Sequence, residues 1–226
     1  MPEIYHILNR GVDKRKIFLN KQDYFRFIHD LFEFNDESSV TNASYYFYSV
    51  DAKFDKEKNN NKKSRKLLVD IHAFCLMPNH YHLLISPRTE NGISKFMHKL
   101  DKGYSRYFNI KNQRKGALFE GRYKSILVSE ESHFYHLPYY IHLNPLDIEF
   151  SEWRDGRLRN YKQALNFLDN YRWSSHLDYA GKKNFPSVTA REFLLDIFGS
   201  TEKYRESIEK WLKNLELEKL RDPILE

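Results

Sequence analysis

The sequence predicts an α+β chain: a ferredoxin-like (palm) antiparallel sheet with helices on one face, followed by a C-terminal helical extension. Three observations carry this. Stretches of strand length and stretches of helical period follow one another as strand, helix, strands, helix, strand, helix. Two apolar strands between Leu67 and Pro87 are separated by only a turn at Met77-Pro78-Asn79. The 226 residues, 41% of them hydrophobic, are enough for a real core. An antiparallel sheet carrying the helices is the simplest packing of that order. The expected division is a domain over residues 1–150, with an inserted loop at about 37–66, and the extension over 151–226.

The first strand is Ile4 to Asn9, and Arg10-Gly11 ends it with a cation beside a flexible turn, which makes Arg10 a candidate phosphate contact. From Lys21 to Phe34 the residues Phe25, Ile28, Leu31 and Phe32 recur at helical spacing, with Asn20 or Asp23 available as a cap. Ala43 to Phe54 alternates like an extended segment, and residues 55–66 lose all apolar periodicity and read as a mobile, solvated loop. After the strand pair, Gly92 to Asn109 is a second helix with Phe96, Met97, Leu100, Tyr104 and Phe108 on one side. Its other side holds Lys102 and Arg106, and Arg114, Lys115, Arg122 and Lys124 follow, the densest basic and aromatic region of the chain. A strand at Tyr123–Val128 leads to a helix capped by Ser129. Helices are expected at Leu158–Leu168, Thr189–Phe198 and Thr201–Leu220, with Trp173 and Trp211 as packing residues.

Composition narrows the function. A formal charge of +6 with 16% aromatic residues suits a surface that holds phosphates and stacks unpaired bases. No run of about 18 apolar residues occurs and the first residues lack a signal-peptide pattern, so the expectation is a cytoplasmic protein without membrane contact. Cys75 is the single cysteine, which excludes an internal disulfide and disfavours cysteine-rich zinc modules. A zinc site joining Cys75 to His72 is disfavoured as well, because residues three apart on a regular strand point to opposite faces.

The chemistry centres on His80-Tyr81-His82. Strand alternation puts both imidazoles on one face, about 6.5–7 Å apart along the strand, and Tyr81 on the other. Two imidazoles can grip a metal ion, but a catalytic ion needs a third ligand and an open position. Tyr140 and Asn144, four apart on a helix, share a face and can approach the same ion or phosphate. Pro145 is expected to stop that helix and leave Asn144 on an exposed last turn, and Pro138 predicts a kink or restart just before Tyr140.

His-x-His, Tyr-x-x-x-Asn and the basic, aromatic chain together resemble the single-tyrosine HUH nucleases, in particular the REP-associated tyrosine transposases of the insertion-sequence transposase superfamily. The resemblance runs through Tyr5-His-Ile-Leu-Asn-Arg-Gly, Met77-Pro-Asn-His-Tyr-His-Leu-Leu, Leu118-Phe-Glu-Gly-Arg-Tyr-Lys-Ser-Ile, Tyr140-Ile-His-Leu-Asn-Pro and Tyr171-Arg-Trp-Ser-Ser. It implies that His80 and His82 are metal ligands, that Asn144 is the third ligand, and that Tyr140 is the nucleophile. It also implies Mg²⁺ or Mn²⁺ as cofactor and single-stranded DNA, next to a hairpin, as partner, cut through a 5′-phosphotyrosine in transposition or recombination. The chain would act as a monomer or homodimer. The alternative is a catalytically silent, domesticated DNA-hairpin-binding protein.

Overall fold

The computed structural model describes residues 3–38 and 65–214, so the extended segment expected at 43–54 and nearly all of the expected mobile loop lie outside the described residues. β1 (Tyr5–Arg10), α1 (Lys21–Glu33), β2 (Val69–Met77), β3 (His80–Pro87), α2 (Gly92–Lys111) and β4 (Lys124–Leu127) follow the βαββαβ order, and α3 (Glu131–Leu143) comes next. The four strands pair antiparallel in the order β2-β3-β1-β4. α1 starts where its sequence provides a capping box: Asn20 Oδ1 accepts from the Asp23 amide, and the Asp23 carboxylate accepts from the amide of Asn20.

α1 and α2 cover one sheet face, where Ile7, Phe74, Tyr81, Leu83 and Ile85 pack against Phe27, Phe96 and Tyr104. This is the antiparallel ferredoxin-like sheet that the sequence predicts. The opposite face is covered too. β3 is buried at every position from Tyr81 to Ser86, so both of its alternating sets need shelter. α3 and the extension supply it, with Leu137, Tyr140 and Ile141 of α3 and Trp153, Leu168, Tyr179, Leu194 and Tyr204 beyond it, all in one core with Ala73, Cys75 and Leu84.

The extension forms α4 (Tyr161–Leu168), α5 (His176–Tyr179), α6 (Glu192–Phe198) and α7 (Thr201–Asn214). Between α4 and α5 the chain runs along the edge of β2, with the Leu76 amide on Trp173 O at 2.9 Å and the Ser175 amide on Phe74 O at 3.0 Å. Trp173 stacks on Tyr24, ring centres 4.5 Å apart, and Trp211 packs on Tyr139, so both are packing residues as expected. Glu130 rather than Ser129 takes the N-cap of α3, and the helix continues through Pro138.

Strict alternation fails at one place. The pairing of β2 with β3 shifts between Ile71 and Ala73, and this β-bulge turns His72 toward the α3 side, where it bonds Ser86 Oγ at 2.8 Å and meets the ring of Phe193. His72 and Cys75 therefore share a face, contrary to the expectation from a regular strand. Among the described residues no helix is long and apolar enough to cross a membrane.

Candidate active site

The site lies at the end of the two central strands, where Leu8 pairs with His82 and Arg10 with His80. His80 and His82 extend from one face of β3, their ring centres 4.9 Å apart and their planes nearly perpendicular. Tyr81 between them points the other way, fully buried, its hydroxyl donating to Asp101 of α2 at 2.7 Å, which is the spacer role the alternation requires.

Each histidine is held by its inner nitrogen. His80 Nδ1 lies 2.7 Å from Asn79 Oδ1, and His82 Nδ1 lies 2.9 Å from Nε2 of His6 on β1. The remaining nitrogen of His82, Nε2, is buried and has no hydrogen-bond partner among the described residues. A buried polar atom without a partner costs free energy, so its position calls for an explanation, of which a bound ion is one. Burial pushes the pKa of His80 down to about 4, with the nearby Arg10 charge adding to it. Burial, then the neighbouring imidazoles and Arg154 and Arg10, hold His82 well below the usual imidazole value. Both rings are therefore neutral at physiological pH, the form that binds metal.

α3 brings Tyr140 against this pair. Its ring stands perpendicular to that of His82 at 6.0 Å, and only 1% of the residue is exposed. Asn144 is on the same side of the helix but is fully buried, not exposed as the Asn-Pro stop predicts. The reason is that the chain does not leave: Asn144–Ile148 continues as a 3₁₀ turn in which Pro145 takes an early position, where its missing N–H costs nothing. Asn144 Nδ2 donates back to Tyr140 O at 2.9 Å, which orients Oδ1 outward.

What Tyr140 and Asn144 converge on is a guanidinium. Arg154 Nη2 donates to Asn144 Oδ1 at 3.1 Å, and Nη1 to the Tyr140 hydroxyl at 3.4 Å. Arg154 is itself gripped by Asp147, through Nε at 2.8 Å and Nη2 at 2.6 Å, and Trp153 Nε1 donates to the same carboxylate at 2.6 Å. Burial works against the Arg154 charge, but the Asp147 hydrogen bond and carboxylate charge, with the Tyr140 hydroxyl close by, outweigh it and raise its pKa. His6, Asp147 and Arg154 are site residues that the motif reading misses. His6 sits inside a quoted motif, whereas Asp147 and Arg154 carry no signal beyond closeness in sequence to Asn144.

The donor set suits a divalent ion in part. The two neutral imidazoles and the orphaned Nε2 fit, whereas the Asn144 oxygen is engaged by Arg154 in this arrangement. Among the described residues no three histidine, cysteine or carboxylate groups could share an ion.

The cations expected to touch nucleic acid fall into two sets. Arg10 is half-buried beside His80, and Lys124 pairs across from Leu8, so both belong to the face of the site. Lys102 and Arg106 are exposed on α2, the layer behind the sheet. Arg114 folds back onto Asn109 Oδ1 at 3.0 Å and over the Phe108 ring, Lys115 is exposed in the same loop, and Arg122 lies over Tyr123.

Residues 51–144 match the family model described as IS200-like transposase, a stretch shorter than half of the chain. No curated protein matches the sequence. Among solved structures, that of a REP-associated tyrosine transposase bound to a REP hairpin superposes with a TM-score of 0.49 at 12% identity, covering 85% of this chain and 88% of that one. The matched stretch, residues 51–144, carries His80, His82, Tyr140 and Asn144.

Proposed function

We propose that this protein is a metal-dependent single-stranded DNA endonuclease and strand transferase, transposase-like, with Tyr140 as nucleophile. The observation that carries the reading is the buried, unpartnered Nε2 of His82, on a ring 6.0 Å from that of Tyr140. The family match supports a DNA-processing role of this kind.

A phenol is a weak nucleophile at neutral pH, and a phosphodiester repels incoming anions. His80 and His82, with Asn144 once its oxygen is released, would hold Mg²⁺ or Mn²⁺, which when bound neutralises a non-bridging phosphate oxygen. The chain's own part is placement. Neutral His80 and His82 are each held at Nδ1, and His82 offers Nε2 when its Nδ1–H donates to His6. α3 fixes Tyr140 at the edge of that pair. Attack by Tyr140 Oη on phosphorus would give a 5′-phosphotyrosine and a free 3′-OH, and a second 3′-OH could reverse the step without an added energy source. The substrate we propose is single-stranded DNA next to a hairpin, with Arg10 and Lys124 beside the reacting strand and Lys102, Arg106, Arg114, Lys115 and Arg122 on more distant DNA.

A second reading, a hairpin-binding protein that no longer cuts, is favoured by the engagement of both Tyr140 and Asn144 by Arg154. One assay separates them. Labelled single-stranded hairpin oligonucleotides and Mn²⁺ should yield a covalent adduct on denaturing gels that EDTA and Tyr140→Phe each abolish, with DNA binding retained in the variant. Binding with no adduct from the unaltered chain selects the second reading, and an adduct that survives Tyr140→Phe removes Tyr140 from its role.

A further inference from the structure

We propose that Arg154 is a catalytic residue that takes the scissile phosphate, and that in the DNA-free chain its guanidinium rests on the two groups it later releases, Tyr140 Oη and Asn144 Oδ1. The proposal rests on the reading of Tyr140 as nucleophile.

The position of Arg154 is built rather than incidental. Asp147 binds it in fork geometry through Nε and Nη2, and the same carboxylate is fixed by the indole of Trp153, a residue only 1% exposed. That grip leaves the far side of the guanidinium for Nη2 to reach Asn144 at 3.1 Å and Nη1 to reach Tyr140 at 3.4 Å. The guanidinium also lies 5.3 Å from the centre of the Tyr140 ring. It is the outer layer of the site. The Arg154 side chain is 29% exposed, whereas Tyr140 and Asn144, which it touches, are 1% and 0% exposed, so of the three the cation is the group that solvent reaches.

Charge decides what happens next. Phosphate oxygens are stronger acceptors for a guanidinium than a phenol or an amide oxygen, and an arginine fork matches a phosphate with two donors at once. An incoming phosphodiester therefore displaces both resting contacts in a single exchange. Asn144 Oδ1 is freed as a neutral oxygen beside the histidines, and Tyr140 Oη is freed next to a fixed positive charge. In the step itself the Oη–P bond forms and the P–O3′ bond breaks. The phenol proton leaves to solvent, the departing 3′-oxygen takes one up, and Arg154 keeps its protons throughout, stabilising the charge that develops on the phosphoryl oxygens.

The ordinary alternative is that Arg154 only bolts the 144–155 turns to α3. The full chain is tested for adduct formation at saturating hairpin oligonucleotide and Mn²⁺, with thermal melting run on every variant. Arg154→Met and Arg154→Gln are expected to lower the saturating rate roughly 100-fold or more, and Arg154→Lys to recover part of it. Asp147→Asn, which loosens the bolt but leaves the cation, is expected to lose far less. A folded Arg154→Met or Arg154→Gln within about threefold of the unaltered rate overturns the proposal, and so does an Asp147→Asn loss as large as theirs. Should Arg154→Met not fold, the polar Arg154→Gln variant carries the comparison. No adduct from the unaltered chain is a different result, which overturns the nuclease reading itself.

Discussion

His82 can offer Nε2 to an ion only when its proton is on Nδ1, and Nδ1 faces His6 Nε2 at 2.9 Å. The proton of His6 then belongs on its own Nδ1, which is buried and has no hydrogen-bond partner among the described residues. Either direction of that hydrogen bond leaves one unsatisfied N–H, at a cost of about 1–3 kcal/mol, on His6 Nδ1 or on His82 Nε2; an ion on Nε2 selects the first, in which His6 accepts from His82. His6→Phe keeps most of the ring's bulk and removes the acceptor. The orphaned N–H moves from His6 to His82, so the number of unsatisfied donors is unchanged and stability should shift by no more than about 1 kcal/mol. What is lost is the acceptor that holds the metal-binding tautomer when an ion is on Nε2, and with it the orientation of the ring. Losses of this kind lower metal affinity by roughly 10–100-fold. Calorimetric titration with Mn²⁺ measures it, with melting run in parallel, and His6→Gln, which returns an acceptor at similar reach, should recover much of the affinity. If His6→Phe binds Mn²⁺ as the unaltered chain does while His82→Ala does not, the tautomer argument is wrong.

Three further outcomes follow from the packing. Tyr204→Phe deletes the hydroxyl that joins His142 Nδ1 and His176 Nδ1 at 2.8 Å each, leaving two buried imidazole nitrogens unsatisfied; a loss of about 2–4 kcal/mol is expected by urea denaturation, and an unchanged midpoint would refute it. Asp101 beneath Tyr81 has its pKa pushed up by burial to about 6. A raised carboxylate pKa stabilises the fold below the unfolded value and loses that contribution as pH rises through about 6, so Asp101→Asn should gain on the unaltered chain, on the order of 2 kcal/mol, between pH 4 and pH 7; a gap that does not change with pH would count against the burial of that charge. Gly92 opens α2 where an added Cβ would lie 2.2 Å from Leu68 O, a backbone atom. Gly92→Ala should therefore cost about 1–3 kcal/mol, seen as a lower melting temperature, and an unaltered melt would show that the backbone yields.

The sheet and the first three helices are legible because their signals are local. Phe25, Ile28, Leu31 and Phe32 repeat at helical spacing, Asn20 and Asp23 announce a cap, and Met77-Pro78-Asn79 leaves room only for a turn. His80 and His82 share a face by the geometry of any strand. The covering of the second face is harder to read, because Leu84 and Ala73 are apolar in either case and nothing local says that residues as distant as Leu194 and Tyr204 will meet them. His72 shows the same limit in miniature: the bulge that turns it depends on a pairing fourteen residues away with Ser86. The spacing predicts Asn144 at the end of α3, where it forms the C-cap, but it is buried rather than in solvent, since Pro145 ends an α-helix but allows a 3₁₀ turn. His6, Asp147 and Arg154 owe their roles to contacts across the sheet and across a turn, which no spacing rule encodes.

The strand order has a bearing on how copies of this chain meet. A sheet edge is a row of unsatisfied amides and carbonyls, ready to recruit another strand. Residues 173–175 take up part of that row along β2, through Leu76 and Phe74. The other end is β4, four residues long, exposed or half-exposed throughout and opened by Lys124. A short strand with a cation on it makes a poor template, so the sheet resists growing from chain to chain even though the protein is rich in the aromatic residues that favour such growth.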